Sequence, residues 1–334
     1  MLYNRGMKFF KKLLCLLTIF CLCACTTSKG VKTYHTYTCY PIGYLLNRIG
    51  GDRIQTISIQ NGSDIQNANI VSNYQDIIDN TISFYYINGL ESYMTIYGDE
   101  ILDSDASKVD LSASSIYSFK RYTPVNVNGT VTYVENPYYD GEMFAETNTY
   151  TNDLFLWLSP IGMLSMAKQI YTNLSSNYAE QAAYFEENYK TLENDLITLD
   201  AAYQNLATTL VKENKHIKFV SMTPSFGSWQ KAYGIEVYPV CLSKYGALPT
   251  ESELQIIKDR IIADKVEYIV YEPNMSEKML DLFSSLEKEL NLKRVNLSNI
   301  SSLTTTQRTD NKDYLTLMYE NLAVLNSIVS SEGE

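Results

Sequence analysis

The amino-acid sequence predicts an α/β fold with two lobes, each with a mainly parallel sheet flanked by helices, bridged by one long rigid helix. Segments rich in β-branched and aromatic residues alternate with helical patterns on both sides of residues 179–212. That central stretch contains neither Pro nor Gly. Its leucines and tyrosines recur mostly at spacings of three and four residues, which indicates one amphipathic helix.

The first lobe combines predicted strands with an irregular region. The strand-like segments are residues 33–40, 53–59 and 81–87, with a short helical turn at 74–80. Residues 99–153 break the alternation because they are polar and rich in Tyr. Within them, Asn128-Gly129 is typical of a type I′ turn. We interpret this region as an inserted hairpin, and a disordered loop is the alternative.

Helix-start signals mark the second half of the chain. Ser159-Pro160 indicates an N-cap followed by Pro at the first helical position. Thr250 and Glu253 form a capping-box pattern. The predicted strands of the second lobe are 217–222, 236–242, 266–272 and 293–297. The predicted helices follow Ser225, begin at Thr250, and span 277–290 and 312–329.

The amino terminus has the pattern of a bacterial export signal. Basic residues precede an apolar run, 13–24, that is shorter than the roughly 20 residues of a transmembrane helix. The run ends in Leu22-Cys23-Ala24-Cys25, which resembles a lipobox, and this resemblance implies that Cys25 is lipidated. A plain signal peptide or membrane anchor is the alternative, and translation starts at Met1 or Met7.

The 334 residues are expected to divide into four parts. These are a lipoprotein signal peptide at 1–25, an N-terminal α/β lobe at 26–177, a long linker helix at 178–213 and a C-terminal α/β lobe at 214–334. The formal net charge of −11, without a basic stripe, argues against nucleic acid as a partner. No phosphate-binding loop, dinucleotide fingerprint, nucleophile elbow or zinc-protease motif occurs after residue 25, so we expect no enzyme activity.

Two cysteines, Cys39 and Cys241, follow the lipobox. In an oxidising compartment they could form a disulfide, although the sequence alone does not show that they lie close together. Each lies in a strand-like segment, so two ordinary apolar-face residues are the favoured interpretation.

Five short motifs, in order, carry a family resemblance. They are Tyr40-Pro41 followed by IGGD at 49–52, INGLE at 87–91, DLFLWLSP at 153–160, IVYEP at 269–273 and KDYL at 312–315. Together with the lipobox and the long helix, they resemble the ZnuA-like solute-binding lipoproteins of zinc and manganese ABC importers. The resemblance implies a metal-binding cleft between the lobes, usually formed by three His, one sometimes replaced by Glu, and an acidic residue.

This sequence lacks those ligands at the matching positions. The resemblance places Ala68, Phe155 and Thr223 where the family has its histidines, and Ser298 or Asn299 near its acidic ligand. Methyl, benzyl and hydroxyl groups do not replace imidazole nitrogens and a carboxylate around zinc. We therefore predict no metal site at these positions, and no cofactor is assigned.

Three other polar residues need an interpretation. The chain has only two histidines, His35 and His216. The sequence does not place further metal ligands with either of them. Each is interpreted as an exposed or core-edge histidine. Glu272 keeps its motif context, and it is expected either to line the mouth of the cleft as a polar group or to act as a structural carboxylate.

The sequence thus predicts an extracytoplasmic substrate-binding lipoprotein, related to metal importers, whose inherited metal site is lost. In one role, the protein delivers a small ligand, or a metal held by substitute groups, to an ABC permease. A surface-anchored adhesin or scaffold that keeps the fold without transport is the alternative. The expected partners are the membrane, through the lipid on the outer face, and a permease, and the protein is expected to be a monomer.

Overall fold

The computed structural model describes residues 32–128 and 130–331. The expected signal peptide and Cys25 lie outside the described residues. The described strands are β1 Tyr34–Tyr37, β2 Gln55–Ser58, β3 Gln60–Asn61, β4 Asn69–Ile70, β5 Thr81–Tyr86, β6 Ser107–Asp110, β7 Arg121–Val127, β8 Thr130–Asn136, β9 Lys218–Ser221, β10 Glu236–Pro239, β11 Tyr268–Tyr271 and β12 Lys293–Asn296.

The described α-helices connect these strands. They are α1 Tyr40–Gly50, α2 Tyr74–Asp79, α3 Met94–Asp103, α4 Pro160–Asn177, α5 Ala182–Glu213, α6 Ser228–Tyr233, α7 Glu251–Ala263, α8 Glu277–Glu289, α9 Thr305–Thr309 and α10 Tyr314–Ser331.

Each lobe contains a four-stranded parallel sheet. The first sheet has the order β2-β1-β5-β6 and the second has the order β10-β9-β11-β12. All strand pairs in both sheets are parallel. Parallel strands require crossover connections, which the helices supply, so the predicted α/β class is confirmed. Both sheets belong to one compact unit of the chain.

Several elements begin or end at other residues than predicted. The first strand ends at Tyr37 because α1 starts at Tyr40, with extended Cys39 as its N-cap and Pro41 in its first turn. Residues 99–153, interpreted above as an inserted hairpin region, also contain the end of α3 and the sheet strand β6. The hairpin itself consists of β7 and β8, which pair antiparallel up to Val127 and Thr130.

The long helix α5 provides a shared core for both lobes. It follows a 3-10 turn at Ala179–Gln181 and ends at Glu213. Its C-cap, Asn214, adopts the left-handed conformation. Its apolar stripe, including Phe185, Leu192 and Leu196, is fully buried. Tyr203 Oη donates a 2.8 Å hydrogen bond to the Met318 carbonyl on α10, which ties the helix to the last element of the chain.

Local capping signals agree with the sequence. The Ser159 side chain accepts a hydrogen bond from the Gly162 amide at the start of α4. Thr250 and Glu253 form a complete capping box on α7. Each cap satisfies an amide that the first helical turn leaves without a partner.

Replacing Leu196 by Ala should destabilise the protein by about 2–5 kcal/mol, because the buried side chain leaves a cavity in the shared core. Its neighbour Ile197 is 50% exposed and is the matched control. Ile197→Ala should change the free energy of unfolding by less than about 0.5 kcal/mol. Urea unfolding measures both, and similar costs for the two variants would contradict the assigned core face of α5.

Candidate functional site

The polar groups of the candidate cleft lie just beyond the carboxyl ends of the second sheet. Thr223 follows β9, Glu272 follows β11 and Asn299 follows β12. In parallel α/β sheets these strand ends meet at one edge, where ligands commonly bind. All three side chains are buried, so the site is interior rather than an open surface.

Glu272 is held by four hydrogen-bond donors. Its Oε1 accepts from the Met222 amide at 3.1 Å and the Thr223 amide at 3.0 Å. Its Oε2 accepts from the Thr223 hydroxyl and from Asn299 Nδ2, the latter at 2.8 Å. A carboxylate offers about four lone-pair sites. The protein itself therefore occupies the hydrogen-bonding capacity of Glu272.

Burial and hydrogen bonding act on Glu272 in opposite directions. Burial raises the pKa of this carboxyl above its ordinary value, and the bonds from Thr223, Asn299 and the Met222 amide lower it. The Thr223 hydroxyl also contacts the Ser225 hydroxyl, so this side chain bridges two buried groups. The result is a closed polar cluster with Glu272 at its centre.

Phe155 lies in the buried segment that follows Asp153. Its side chain is 2% exposed, and its ring packs 5.3 Å from that of Trp157 and 6.0 Å, edge-on, from that of Tyr150. Aromatic pairs at these distances and angles stabilise a core beyond their buried area. Phe155 therefore contributes an apolar ring to the protein interior.

The 3-10 turn Leu156–Leu158 is fixed by groups from the second half of the chain. Trp157 Nε1 donates to the Asn299 carbonyl at 2.7 Å, and Tyr314 Oη donates to the Trp157 carbonyl at 2.6 Å. Trp229 Nε1 donates to the Leu158 carbonyl at 2.8 Å. These buried bonds hold the segment containing Phe155 against the second lobe.

The loop containing Ala68 joins the lobes at another point. Gln66 Nε2 donates to the Ser243 carbonyl at 2.5 Å. The Ser301 and Ser302 hydroxyls donate to the Ser63 carbonyl at 3.3 and 3.0 Å. One side chain of this loop and two second-lobe hydroxyls thus connect it to second-lobe loops.

The four positions predicted from the sequence to replace family ligands differ in their surroundings. Ala68 packs in a smaller first-lobe cluster that includes Phe84, whereas Phe155 belongs to the main core. Thr223 contacts Glu272, and the backbone of Ser298 exchanges two 2.8 Å hydrogen bonds with the Asn321 side chain on α10.

The two histidines occupy separate lobes. His35, on β1, is buried, with Nε2 2.9 Å from Tyr178 Oη and Nδ1 3.3 Å from Tyr85 Oη. Burial lowers the pKa of His35 to about 4. The His216 side chain is 61% exposed, before β9, with Nδ1 3.9 Å from a Glu236 oxygen.

Metal-ligand side chains do not gather in the described part of the chain. Among residues 32–128 and 130–331, no group of three or more His, Cys, Asp or Glu residues is arranged to hold a metal ion. Cys39 and Cys241 are both buried and unpaired. Burial raises the pKa of Cys241 to about 12, as expected for an apolar-face thiol.

Comparison with a protein-family model decides the family. The model described as "ZnuA: Zinc-uptake complex component A periplasmic" matches residues 36–328. This chain belongs to that family. The resemblance inferred from the five motifs is confirmed.

Curated relatives and solved structures agree with this assignment. Zinc-binding lipoprotein AdcA of Streptococcus pneumoniae R6 is 26% identical over 181 residues, which cover 54% of this chain and 35% of AdcA. The high-affinity zinc uptake system protein ZnuA of Bacillus subtilis is 24% identical over 177 residues, 53% of each chain. This chain's match spans about a third of AdcA and half of the Bacillus protein.

The fold matches the periplasmic zinc binding protein TroA from Treponema pallidum with a TM-score of 0.67 and 16% identity, over 89% of this chain and 98% of TroA. The Zn(II)-bound ZnuA-like domain of S. pneumoniae AdcA matches with a TM-score of 0.64 and 20% identity, over 89% and 98%. Proteins of the ZnuA family are solute carriers rather than enzymes, as expected from the missing catalytic motifs. No described helix is long and apolar enough to cross a membrane.

Two buried carboxyl groups of this ZnuA-family chain received no role in the sequence analysis. Asp153 Oδ1 accepts from the Phe155 amide at 3.1 Å, and its Oδ2 has no partner at hydrogen-bond geometry among the described residues. In the same part of the chain, neither carboxyl oxygen of Glu91 has a partner at such geometry. Burial raises the pKa of each to about 7. The motifs at 87–91 and 153–160 contained both residues, but a sequence motif carries no measure of burial.

Asp153→Asn should stabilise the protein at pH 8 by about 2–4 kcal/mol relative to wild type and change little at pH 4. The pKa of Asp153 is about 7 when folded and about 3.9 when unfolded, so the unfolded state loses its proton first as pH rises. The contribution of protonated Asp153 to the free energy of unfolding is fully present below about pH 4 and is lost as pH rises through 7. Urea unfolding at both pH values measures the difference.

Asp281→Asn is the matched control, because Asp281 is exposed on α8. Its effect should be the same at both pH values. If the effect of Asp153→Asn were equally independent of pH, the raised pKa of Asp153 would be wrong.

Proposed function

We propose that this chain is an extracytoplasmic solute-binding lipoprotein of an ABC importer whose cleft does not bind zinc or manganese through the inherited positions. Family membership supports the carrier role. The family description and the curated relatives refer to zinc uptake and zinc binding. The proposed loss of the metal rests on the residues of this chain.

The observation that carries the proposal is the occupation of Glu272 by four protein donors. A metal ion binds carboxylate oxygens through the same lone pairs, so binding there would break hydrogen bonds that stabilise buried groups. Each broken bond would leave a buried donor without a partner.

The remaining positions supply no compensating ligands. Zinc sites in proteins use Cys sulfur, His nitrogen and carboxylate oxygen, usually four in number. Ala68 and Phe155 have no donor atom, and the Thr223 hydroxyl already bonds to Glu272 and Ser225. The donor set at this end of the second sheet therefore does not fit zinc or manganese.

Zinc and manganese should leave the melting temperature unchanged to within about 1 °C, and the purified protein should contain no stoichiometric metal. A ligand that binds only the folded state adds about 2.7 kcal/mol at 100 times its Kd, which corresponds to a shift of several degrees. Thermal unfolding with each ion, together with elemental analysis, measures both quantities.

Variants identify the error if a metal does stabilise the protein. A shift abolished by Glu272→Ala would contradict the saturated carboxylate and indicate a substitute site in the cleft. A shift that survives Glu272→Ala but disappears in His35→Ala or His216→Ala would show that the matched positions are misaligned.

The anchoring part of the proposal rests on the sequence at Leu22–Cys25. Expressed in a bacterium with lipoprotein processing, the wild-type protein should partition with membranes. Cys25→Ser should be released or remain an unprocessed precursor, because the anchor lipid needs the thiol. Cys39→Ser is the matched control and should stay membrane-bound. Processing and retention of the Cys25→Ser protein like wild type would contradict lipidation at Cys25.

The importer and the non-transporting surface protein make different predictions about a partner. Adjacent genes for an ATPase and a permease, and co-purification of that permease with the anchored protein, support the importer. A protein that binds host or matrix components, with no permease recovered by cross-linking, would replace the importer by the adhesin or scaffold.

A further inference from the structure

A cavity lies outside the polar cluster around Glu272. It has a volume of about 270 Å³, is partly open to solvent, and is lined by residues from 143–148, from the loop 240–250 that follows β10, and by Glu253 on α7. None of the cleft positions discussed above lines it. Its size is near the lower end of small-molecule pockets, about 300 Å³.

Direct contacts hold the two walls of this cavity together. The Lys244 amide donates to the Asn148 carbonyl at 2.8 Å, and the Thr147 hydroxyl donates to Glu253 Oε1 at 2.7 Å. Tyr139 Oη donates to the Pro239 carbonyl at 2.9 Å, at the end of β10. The segment before the DLFLWLSP motif is thus fastened to the second lobe by three hydrogen bonds.

The walls are mainly apolar. Phe144, Val240, Leu242 and Leu248 line the cavity, and Val240 and Leu242 are buried. Leu248 is 37% exposed and lies in the loop before α7. An apolar body of suitable size would remove these surfaces from water, which favours binding.

Two carboxylates give the cavity a negative character. Glu253 is buried, and although burial raises its pKa, hydrogen bonds from Thr147 and Thr250 hold that pKa below its ordinary value. Glu146 is an exposed second acid on the wall. No Lys, Arg or His lines the cavity, and within the described residues no ion pair reaches either acid. The nearby Lys244 ammonium lies over the Tyr245 ring, 5.1 Å from its centre.

We propose that this cavity is a binding site for a small organic amine with an apolar body, whose ammonium group pairs with Glu253 and Glu146. The apolar walls accept the body. Glu253 accepts three hydrogen bonds, one on Oε1 and two on Oε2, so one lone pair of Oε1 is left for the ammonium, and no cationic partner among the described residues competes for it. This proposal does not depend on what the cleft around Glu272 binds.

Titration with 2-phenylethylamine tests the site, and 2-phenylethanol is the uncharged comparison. Calorimetry should show saturable 1:1 binding of the amine with a Kd below about 1 mM, and at least tenfold weaker binding of the alcohol. No binding of the amine up to 10 mM, or equal binding of amine and alcohol, would overturn the proposal.

Variants locate the binding. Glu253→Gln removes the charge and keeps a residue compatible with the capping box, so the helix start is retained. It should weaken amine binding at least tenfold without changing binding of the alcohol. Leu248→Trp should fill the cavity and abolish binding of both compounds.

Each variant has a matched control outside the cavity. Glu142→Gln removes an exposed carboxylate from the 3-10 turn Glu142–Glu146, which also contains Glu146. Leu280→Trp enlarges a leucine that, like Leu248, is 37% exposed. Both should bind the amine as wild type does. Amine binding weakened equally by the Glu142 and Glu253 variants would indicate general electrostatic attraction and would overturn the assignment of the site.

Discussion

Asn299 connects buried groups from both lobes. Its carbonyl accepts the indole N–H of Trp157, and its side-chain amide donates to Glu272. Its Oδ1 accepts from the Ser301 amide and hydroxyl, which fixes the orientation of the side chain. Most buried polar groups have partners inside the protein, because burying one without a hydrogen bond costs free energy. The position of Trp157 on one side of Asn299 therefore constrains the position of Glu272 on the other.

The same constraint extends through a chain of hydrogen bonds across the interior between the lobes. Tyr314 bonds to Trp157, Trp157 bonds to Asn299, and Asn299 bonds to Glu272, which completes its capacity with Thr223 and the Met222 amide. In a metal-binding cleft, ligands from both lobes would meet at the ion. Under the proposed loss of the metal, these hydrogen bonds and the packed ring of Phe155 would make the equivalent connections.

Much of the fold could be predicted because its signals are local. Strand composition, the apolar period of α5 and the capping pattern of Thr250 and Glu253 act within a few residues along the chain. Helix α3, Met94–Asp103, was missed because it contains Gly98 and begins without a side-chain cap. Its formation depends on packing against the first lobe, for example through buried Ile101.

The candidate site was less predictable, because its key contacts are distant in sequence and often involve backbone atoms. The Gln66 amide meets the carbonyl of Ser243, and the Trp157 indole meets the carbonyl of Asn299. Every residue has a carbonyl, so no sequence pattern identifies such acceptors. Sequence alone indicated that ligands were substituted, but not that Glu272 would be fully engaged by neighbouring donors.

The most direct measurement of the central claim is anomalous diffraction at the zinc absorption edge, from crystals grown with excess zinc. No anomalous peak is expected near Glu272, and the set of donors around its carboxylate should be unchanged. A peak within about 2.0–2.2 Å of a Glu272 oxygen, the length of a zinc–carboxylate bond, would contradict it.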